Sequence, residues 1–83
     1  MHDMEFMEEI LEKRMAIEES EDAQEISEYK AENDQIIENY KREVAQKLEN
    51  KEYAEALKLI EKYQYFNRID QAISHWEDVH KSH

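Results

Sequence analysis

The stretch VAQKLENKEYAEALKLI, residues 44–60, decides the fold, because a polar break in its middle interrupts a long helical pattern. On both sides of the break, apolar residues recur three or four positions apart, which is the spacing of one face of an α-helix. The break consists of Glu49, Asn50 and Lys51. Asparagine tolerates the left-handed backbone conformation that often follows a helix. The stretch therefore predicts two long helices joined by a short turn, with Asn50 in the left-handed conformation.

The apolar series that leave this turn are long enough for a helical hairpin. The series before the turn consists of Ala23, Ile26, Lys30, Asn33, Ile37, Tyr40, Val44 and Leu48. The series after the turn consists of Tyr53, Ala56, Ile60, Tyr63, Phe66, Ile69, Ile73, Trp76 and His80. Lys30 and Asn33 make the middle of the first series poorly apolar, so we expect the ends of that helix to pack best. Tyr65 lies about 200° around the helix from Tyr63, which predicts that its ring faces away from the core.

A second polar break, at residues 20–22, separates a shorter helix at the start of the chain. Asp22 followed three residues later by Glu25 is typical of an N-cap with its reciprocal acid. Before this break, one apolar stripe predicts a helix from about Asp3 to Glu19. The stripe consists of Phe6, Ile10, Lys13 and Ile17, of which Lys13 is the weak member.

Composition indicates the same all-helical class. The 83 residues have room for one domain, residues 1–83, and contain neither glycine nor proline, on which tight sheet turns depend. Abundant Glu, Lys, Ala, Leu and Gln lose little on entering a helix. We predict an all-α three-helix bundle, with one short helix packed on a long antiparallel helical hairpin. A continuous coiled coil is disfavoured because the apolar phase resets at both polar breaks.

The charge balance restricts the partners. Acidic residues outnumber basic residues 22 to 11, for a formal net charge of −11. A field of this sign repels the phosphates of nucleic acids and of anionic membranes, so we expect neither as a partner. The chain has no cysteine and therefore no disulfide or thiolate metal site.

One pattern is similar to part of a metal site. Glu77 and His80 have the spacing with which carboxylate-bridged di-iron bundles hold their metals, but such sites need this pair twice and two further glutamates. His75 and His83 add only a loose cluster of imidazoles. No glycine is available for a phosphate loop, and no serine stands in a nucleophile elbow. We predict no catalytic residue, no metal and no cofactor, and hence a chain that is not an enzyme.

A second apolar series on the first helix, Met7, Leu11 and Met15, has competing interpretations. Residues four apart on one helix face are more often core than binding surface, and periodicity alone favours the core. If the series is exposed, it supplies the apolar anchors that dominate protein interfaces, and Tyr65 belongs with it. An exposed series would equally allow the chain to bury it against a second copy.

Three motifs resemble a known family. They are D-x-x-F-M-x-x-x-L-E at residues 3–12, N-K-E-Y-A-E-A at residues 50–56 and Y-F-x-x-I at residues 65–69. Together with the lengths of the three helices, they resemble the C-terminal domain of HscB-type J-proteins, which are co-chaperones of iron-sulfur cluster assembly. Trp76 is most similar to the fungal mitochondrial members. The departures are Met4 for a frequent proline, Gln64 for a basic residue, and Lys13 for an apolar one.

The resemblance implies that the chain binds an iron-sulfur scaffold protein of the IscU type. The partner-binding residues that it implies are Met7, Leu11, Tyr65 and the acidic Glu12, and helix geometry and charge add Glu8 and Glu19. A DnaK-type chaperone would be engaged only through a J domain, whose His-Pro-Asp tripeptide this proline-free sequence lacks. The chain would then be about half of such a protein. We expect a monomer, in the mitochondrial matrix or, alternatively, in the bacterial cytoplasm. The rival hypothesis is a self-associating acidic bundle with a structural role.

Overall fold

Residues 4–81, which the computed structural model describes, form three α-helices. They are α1 (Met4–Glu19), α2 (Ala23–Glu49) and α3 (Tyr53–Lys81). α2 and α3 form an antiparallel hairpin, and α1 lies along α3. The predicted all-α bundle, with one short helix on a long hairpin, is confirmed. The predicted start of the first helix at Asp3 lies outside the described residues.

The turn between α1 and α2 caps the second helix. The side chain of Asp22 accepts a hydrogen bond from the backbone N–H of Gln24 at 2.9 Å, which confirms Asp22 as the N-cap. The predicted reciprocal contact is wrong, because the N–H of Asp22 donates to Ser20 Oγ at 3.1 Å and not to Glu25. Two neighbouring side chains of the turn thus satisfy backbone groups that the helix leaves unpaired.

The turn between α2 and α3 has its left-handed residue one position later than predicted. Lys51 has φ 62°, whereas Asn50 has φ −84° and is the cap itself. The N–H of Glu52 donates to the carbonyl of Lys47 at 2.8 Å, and the N–H of Lys51 to that of Leu48 at 3.1 Å. This pair of bonds is the Schellman motif, in which the residue after the cap takes positive φ. Because α2 extends to Glu49, its cap is Asn50, and the residue after the cap is Lys51. The prediction that Asn50 is left-handed is therefore wrong.

The core lies where all three helices meet. Its buried apolar residues are Ile10, Ile17, Ile26, Phe66, Ile69, Ile73 and Trp76. Asn33, only 3% exposed, lies in the middle of α2 and donates a hydrogen bond to the main-chain oxygen of Phe66 at 3.0 Å. Of the two residues that make the middle of α2 poorly apolar, Asn33 is therefore a buried polar contact between the hairpin helices, whereas Lys30 is exposed.

α1 is too short to cover the whole hairpin. At about 1.5 Å per residue, its 16 residues span about 24 Å, whereas the 29 residues of α3 span about 44 Å. Toward the turn at residues 50–52, the hairpin has no third helix over it, and Leu48 is 47% exposed. Ile26, near the other end of α2, is buried. The expectation that both ends of α2 pack best is wrong at its C-terminal end.

Lys13 shows how α1 tolerates a cation in its apolar stripe. Its Nζ lies 2.9 Å from Oε1 of Glu32 on α2 and 5.8 Å from the centroid of the Phe66 ring. The side chain is partly buried, so its aliphatic stem contributes to packing while its ammonium group reaches a carboxylate. The ion pair joins α1 to α2, whereas the apolar packing of α1 is chiefly against α3.

Candidate partner-binding site

One face of α1 exposes a strip of apolar side chains. The strip consists of Met4, Met7, Leu11 and Met15, which are 70%, 39%, 55% and 55% exposed. α1 buries Ile10 and Ile17 on another face, so these four side chains have no place in the core. The interpretation of Met7, Leu11 and Met15 as core, which periodicity alone favoured, is wrong.

Tyr65 is half-buried and does not simply face away from the core as predicted. Its ring meets the ring of Phe6 edge to face, with centroids 5.8 Å apart. Phe6 in turn contacts Phe66 at 5.6 Å in a similar geometry. The angle of about 200° between Tyr63 and Tyr65 shows only that Tyr65 faces away from α2. On that side of α3 lies α1, which covers Tyr65 with Phe6. Aromatic pairs in this arrangement are favourable, so Tyr65 has a defined position.

A groove of about 580 Å³ runs between α1 and α3 beside this aromatic contact. Its lining residues are Phe6, Met7, Lys58, Glu61, Lys62, Gln64, Tyr65 and Arg68. The structure thus brings Met7 and Tyr65 together in one site. Leu11 does not line the groove; it lies one helical turn after Met7 on the exposed strip. Together the three residues form one apolar surface across α1 and α3.

The three acidic residues predicted for the site, Glu8, Glu12 and Glu19, are exposed, and none of them lines the groove. Glu12 lines a different groove between α1 and α2, with Lys13, Ala16 and Tyr29 among its other residues. Glu8 and Glu19 lie on α1 next to the apolar strip, on the edge of the strip that is farther from Tyr65. The structure therefore separates an acidic side of the surface, on α1, from its aromatic side, on α3.

The basic side of the groove was not predicted from the sequence. Lys62 Nζ lies 5.5 Å from the ring centroid of Phe6, and Arg68 Cζ lies 5.3 Å from that of Tyr65. Lys58 precedes Lys62 by one helical turn, so the spacing alone indicates that the two lysines lie on one face of α3. Arg68 is about 120° away from Lys62 around α3, and only the long side chains resting on aromatic rings bring both cations to the groove.

The C-terminal part of α3 has a different role. Trp76 Nε1 donates a hydrogen bond to the main-chain oxygen of Ser20 at 2.7 Å, which ties α3 to the first turn. The His80 ring stacks on Trp76 at 3.8 Å between centroids, and its Nδ1 is 2.9 Å from the Trp76 carbonyl oxygen. Within residues 4–81, no three potential metal ligands are grouped closely enough to hold an ion, and His83 lies outside that range.

These features define a class: an acidic three-helix domain that exposes an apolar strip beside a partly basic groove. The family model of the HSCB C-terminal oligomerisation domain matches residues 2–74, and the chain belongs to this family. It is a non-catalytic, chaperone-type domain of the HscB co-chaperone family, and the resemblance of its motifs to that family is confirmed. No curated protein and no solved structure matches the chain. Over the part that the structure describes, no helix is long and apolar enough to cross a membrane.

Proposed function

We propose that this domain binds an iron-sulfur scaffold protein of the IscU type, so that a co-chaperone can deliver the scaffold to a DnaK-type chaperone. The chaperone would be engaged by a J domain, which is not part of these 83 residues. The family membership of the chain supports a role in iron-sulfur cluster assembly. The parent protein would act in the mitochondrial matrix or, alternatively, in the bacterial cytoplasm.

The observation that carries the proposal is the apolar surface that Met7 and Leu11 form beside Tyr65. Met7 and Leu11 are exposed and lie outside the core cluster, and an exposed apolar strip on a small charged domain is typical of a protein interface. Phe6 holds the ring of Tyr65 at the edge of this strip, so little side-chain freedom is lost on binding. Glu8, Glu12 and Glu19 would form an acidic rim that acts mainly on the association rate.

Calorimetric titration of an IscU-type scaffold protein tests the proposal. The triple variant Met7→Ala/Leu11→Ala/Tyr65→Ala should bind at least about thirtyfold more weakly, since apolar and aromatic anchors usually dominate such contacts. Leu48→Ala is a matched control, because Leu48 is exposed to a similar degree as Leu11 but lies near the hairpin turn. A folded triple variant that binds the scaffold as tightly as the wild type would refute the site.

A second candidate function is self-association, which the description of the family as an oligomerisation domain favours. The same apolar strip would then be buried against another copy. Sedimentation at micromolar concentration distinguishes the two, because a dimer that depends on the strip should dissociate in the Met7→Ala/Leu11→Ala variant. A folded monomer at these concentrations would leave the scaffold as the better occupant.

A further inference from the structure

The groove between α1 and α3 has the opposite charge to the protein as a whole. Its lining contains three basic side chains, Lys58, Lys62 and Arg68, and one carboxylate, Glu61, in a chain whose net charge is −11. Within the described residues 4–81, neither Lys58 nor Arg68 is in an ion pair. Their charge is therefore available to a ligand in the groove.

The charges of the chain are unevenly distributed along the hairpin. Residues 41–62, around the turn, include six basic and five acidic side chains, whereas the remaining residues include five basic and 17 acidic ones. Most of the protein surface therefore repels an approaching carboxylate, and the repulsion is weakest near the hairpin turn. The groove lies between these two regions, with Lys58 and Lys62 at the end nearer the turn.

The groove has the shape and chemistry for a short peptide. Arg68 follows Lys58 by ten positions of α3, which corresponds to about 15 Å along the helix axis. An extended segment of about five residues has this length. The rings of Phe6 and Tyr65 form an aromatic floor, over which Lys62 and Arg68 are held by cation–π contacts. Such a surface favours a segment in which carboxylates alternate with apolar side chains.

We propose that this groove binds an acidic polypeptide segment of the partner protein. The identity of the partner rests on the proposed function, but the charge of the segment does not. Apolar contacts to the strip on α1 would supply affinity, and carboxylates in the groove would set the orientation of the partner. A partner docked the other way round would place its carboxylates against the glutamates of α1, which is unfavourable.

Two charge-reversal variants test the inference. Lys58→Glu/Lys62→Glu changes the groove, and Lys41→Glu/Arg42→Glu makes the same change in net charge on α2, away from the groove. In titrations with an IscU-type scaffold at low salt, we expect the first variant to bind about tenfold more weakly and the second about twofold. The difference should shrink at about 0.5 M salt. If a melt shows the first variant to be unfolded, Lys58→Gln/Lys62→Gln replaces it.

The outcomes separate this inference from the proposed function. If both charge variants weaken scaffold binding equally, the effect comes from the net charge of the protein and not from the groove, and the inference is overturned. If Leu11→Ala weakens scaffold binding and the groove variant does not, the scaffold site stands and the acidic segment is wrong. A fluorescent hexapeptide in which glutamate alternates with leucine tests the groove without any scaffold: binding to the wild type and loss in the groove variant support the inference, and failure to bind the wild type overturns it. Equal binding of a short single-stranded DNA would also overturn it, because the groove would then accept any polyanion.

Discussion

Asn33 of α2 donates a hydrogen bond from Nδ2 to the main-chain oxygen of Phe66 on α3, 3.0 Å away, and both residues are buried. The other polar atom of this side chain, Oδ1, is buried without a hydrogen-bond partner in the described residues. A paired hydrogen bond contributes about 1 kcal/mol, and an unpaired buried polar atom costs about 1–3 kcal/mol. Asn33 therefore aligns the hairpin at the level where Phe6 of α1 meets Phe66, with little net gain in stability.

Asn33→Leu and Asn33→Asp should change the free energy of unfolding by very different amounts. Leucine removes the unpaired Oδ1 together with the hydrogen bond, so we expect a change of less than about 1 kcal/mol. Aspartate loses the donor and buries a charge, so we expect a loss of more than about 2 kcal/mol at neutral pH. Urea denaturation measures both. The loss in Asn33→Asp should decrease as the pH falls and the carboxyl becomes neutral; equal stability of all three proteins would contradict the buried contact.

Lys51→Gly should stabilise the hairpin turn. Lys51 has φ 62°, where a Cβ atom costs about 1 kcal/mol, and glycine removes this cost at the expense of a more flexible unfolded chain. We expect a net gain of about 0.5 kcal/mol in the free energy of unfolding, measured by thermal or urea denaturation. Asn50→Gly is the control, because Asn50 has φ −84° and gains nothing from glycine. A larger gain at Asn50 than at Lys51 would place the left-handed residue where the sequence first suggested it.

Leu11→Ala and Ile17→Ala should separate the exposed strip of α1 from its core face. Ile17 is fully buried, so its truncation should cost about 2–5 kcal/mol. Leu11 is exposed, so its truncation should cost less than about 1 kcal/mol. Tyr65→Ala should fall between them, since it removes the edge contact with Phe6. Thermal melts of the three variants are sufficient, and a Leu11→Ala loss equal to that of Ile17→Ala would return the strip to the core.

Lys47 should make the hairpin turn sensitive to alkaline pH. The hydrogen bond with Glu55, at 3.2 Å, and the nearby carboxylate of Glu52 raise the pKa of Lys47 above its usual 10.5. A folded-state pKa above the unfolded value means that the contribution to stability is present below about pH 10.5 and is lost as the pH rises through the folded pKa. The Tm difference between wild type and Lys47→Gln should therefore stay constant below about pH 10.5 and narrow as the pH rises above that value. A constant difference would show that the ion pair contributes nothing.

The three helices and the places of the two turns could be predicted from the sequence because they depend on neighbouring residues. Apolar residues three and four positions apart define a helix face, and polar runs at residues 20–22 and 49–51 end it. Asp22 as a helix cap needs only its own side chain and the next two residues. Two local details were wrong, the reciprocal contact of Glu25 and the left-handed Asn50. The second error came from residue preference: helix length decided which residue took the positive φ, and a lysine accepted it.

The candidate site was only partly accessible to the same reasoning. Met7, Leu11 and Tyr65 were selected from a family resemblance, and periodicity alone placed the first two in the core. Their exposure depends on which face of α1 meets α3, and both faces of α1 are apolar enough to do so. The buried Ile10 and Ile17 resolve this choice, because they belong to the same core cluster as Ile69 and Ile73 of α3.

By itself, the sequence determined the fold class, the positions of the turns and the acidic character of this domain, since each follows from composition and from residues near one another in the chain. Only the tertiary structure decided that Asn33 is buried, that Lys13 pairs with Glu32, and that Phe6 holds Tyr65 beside a basic groove. Each of these contacts joins two helices. Its geometry depends on how α1 and α2 are positioned and rotated against their neighbours, and no spacing along the chain specifies that rotation.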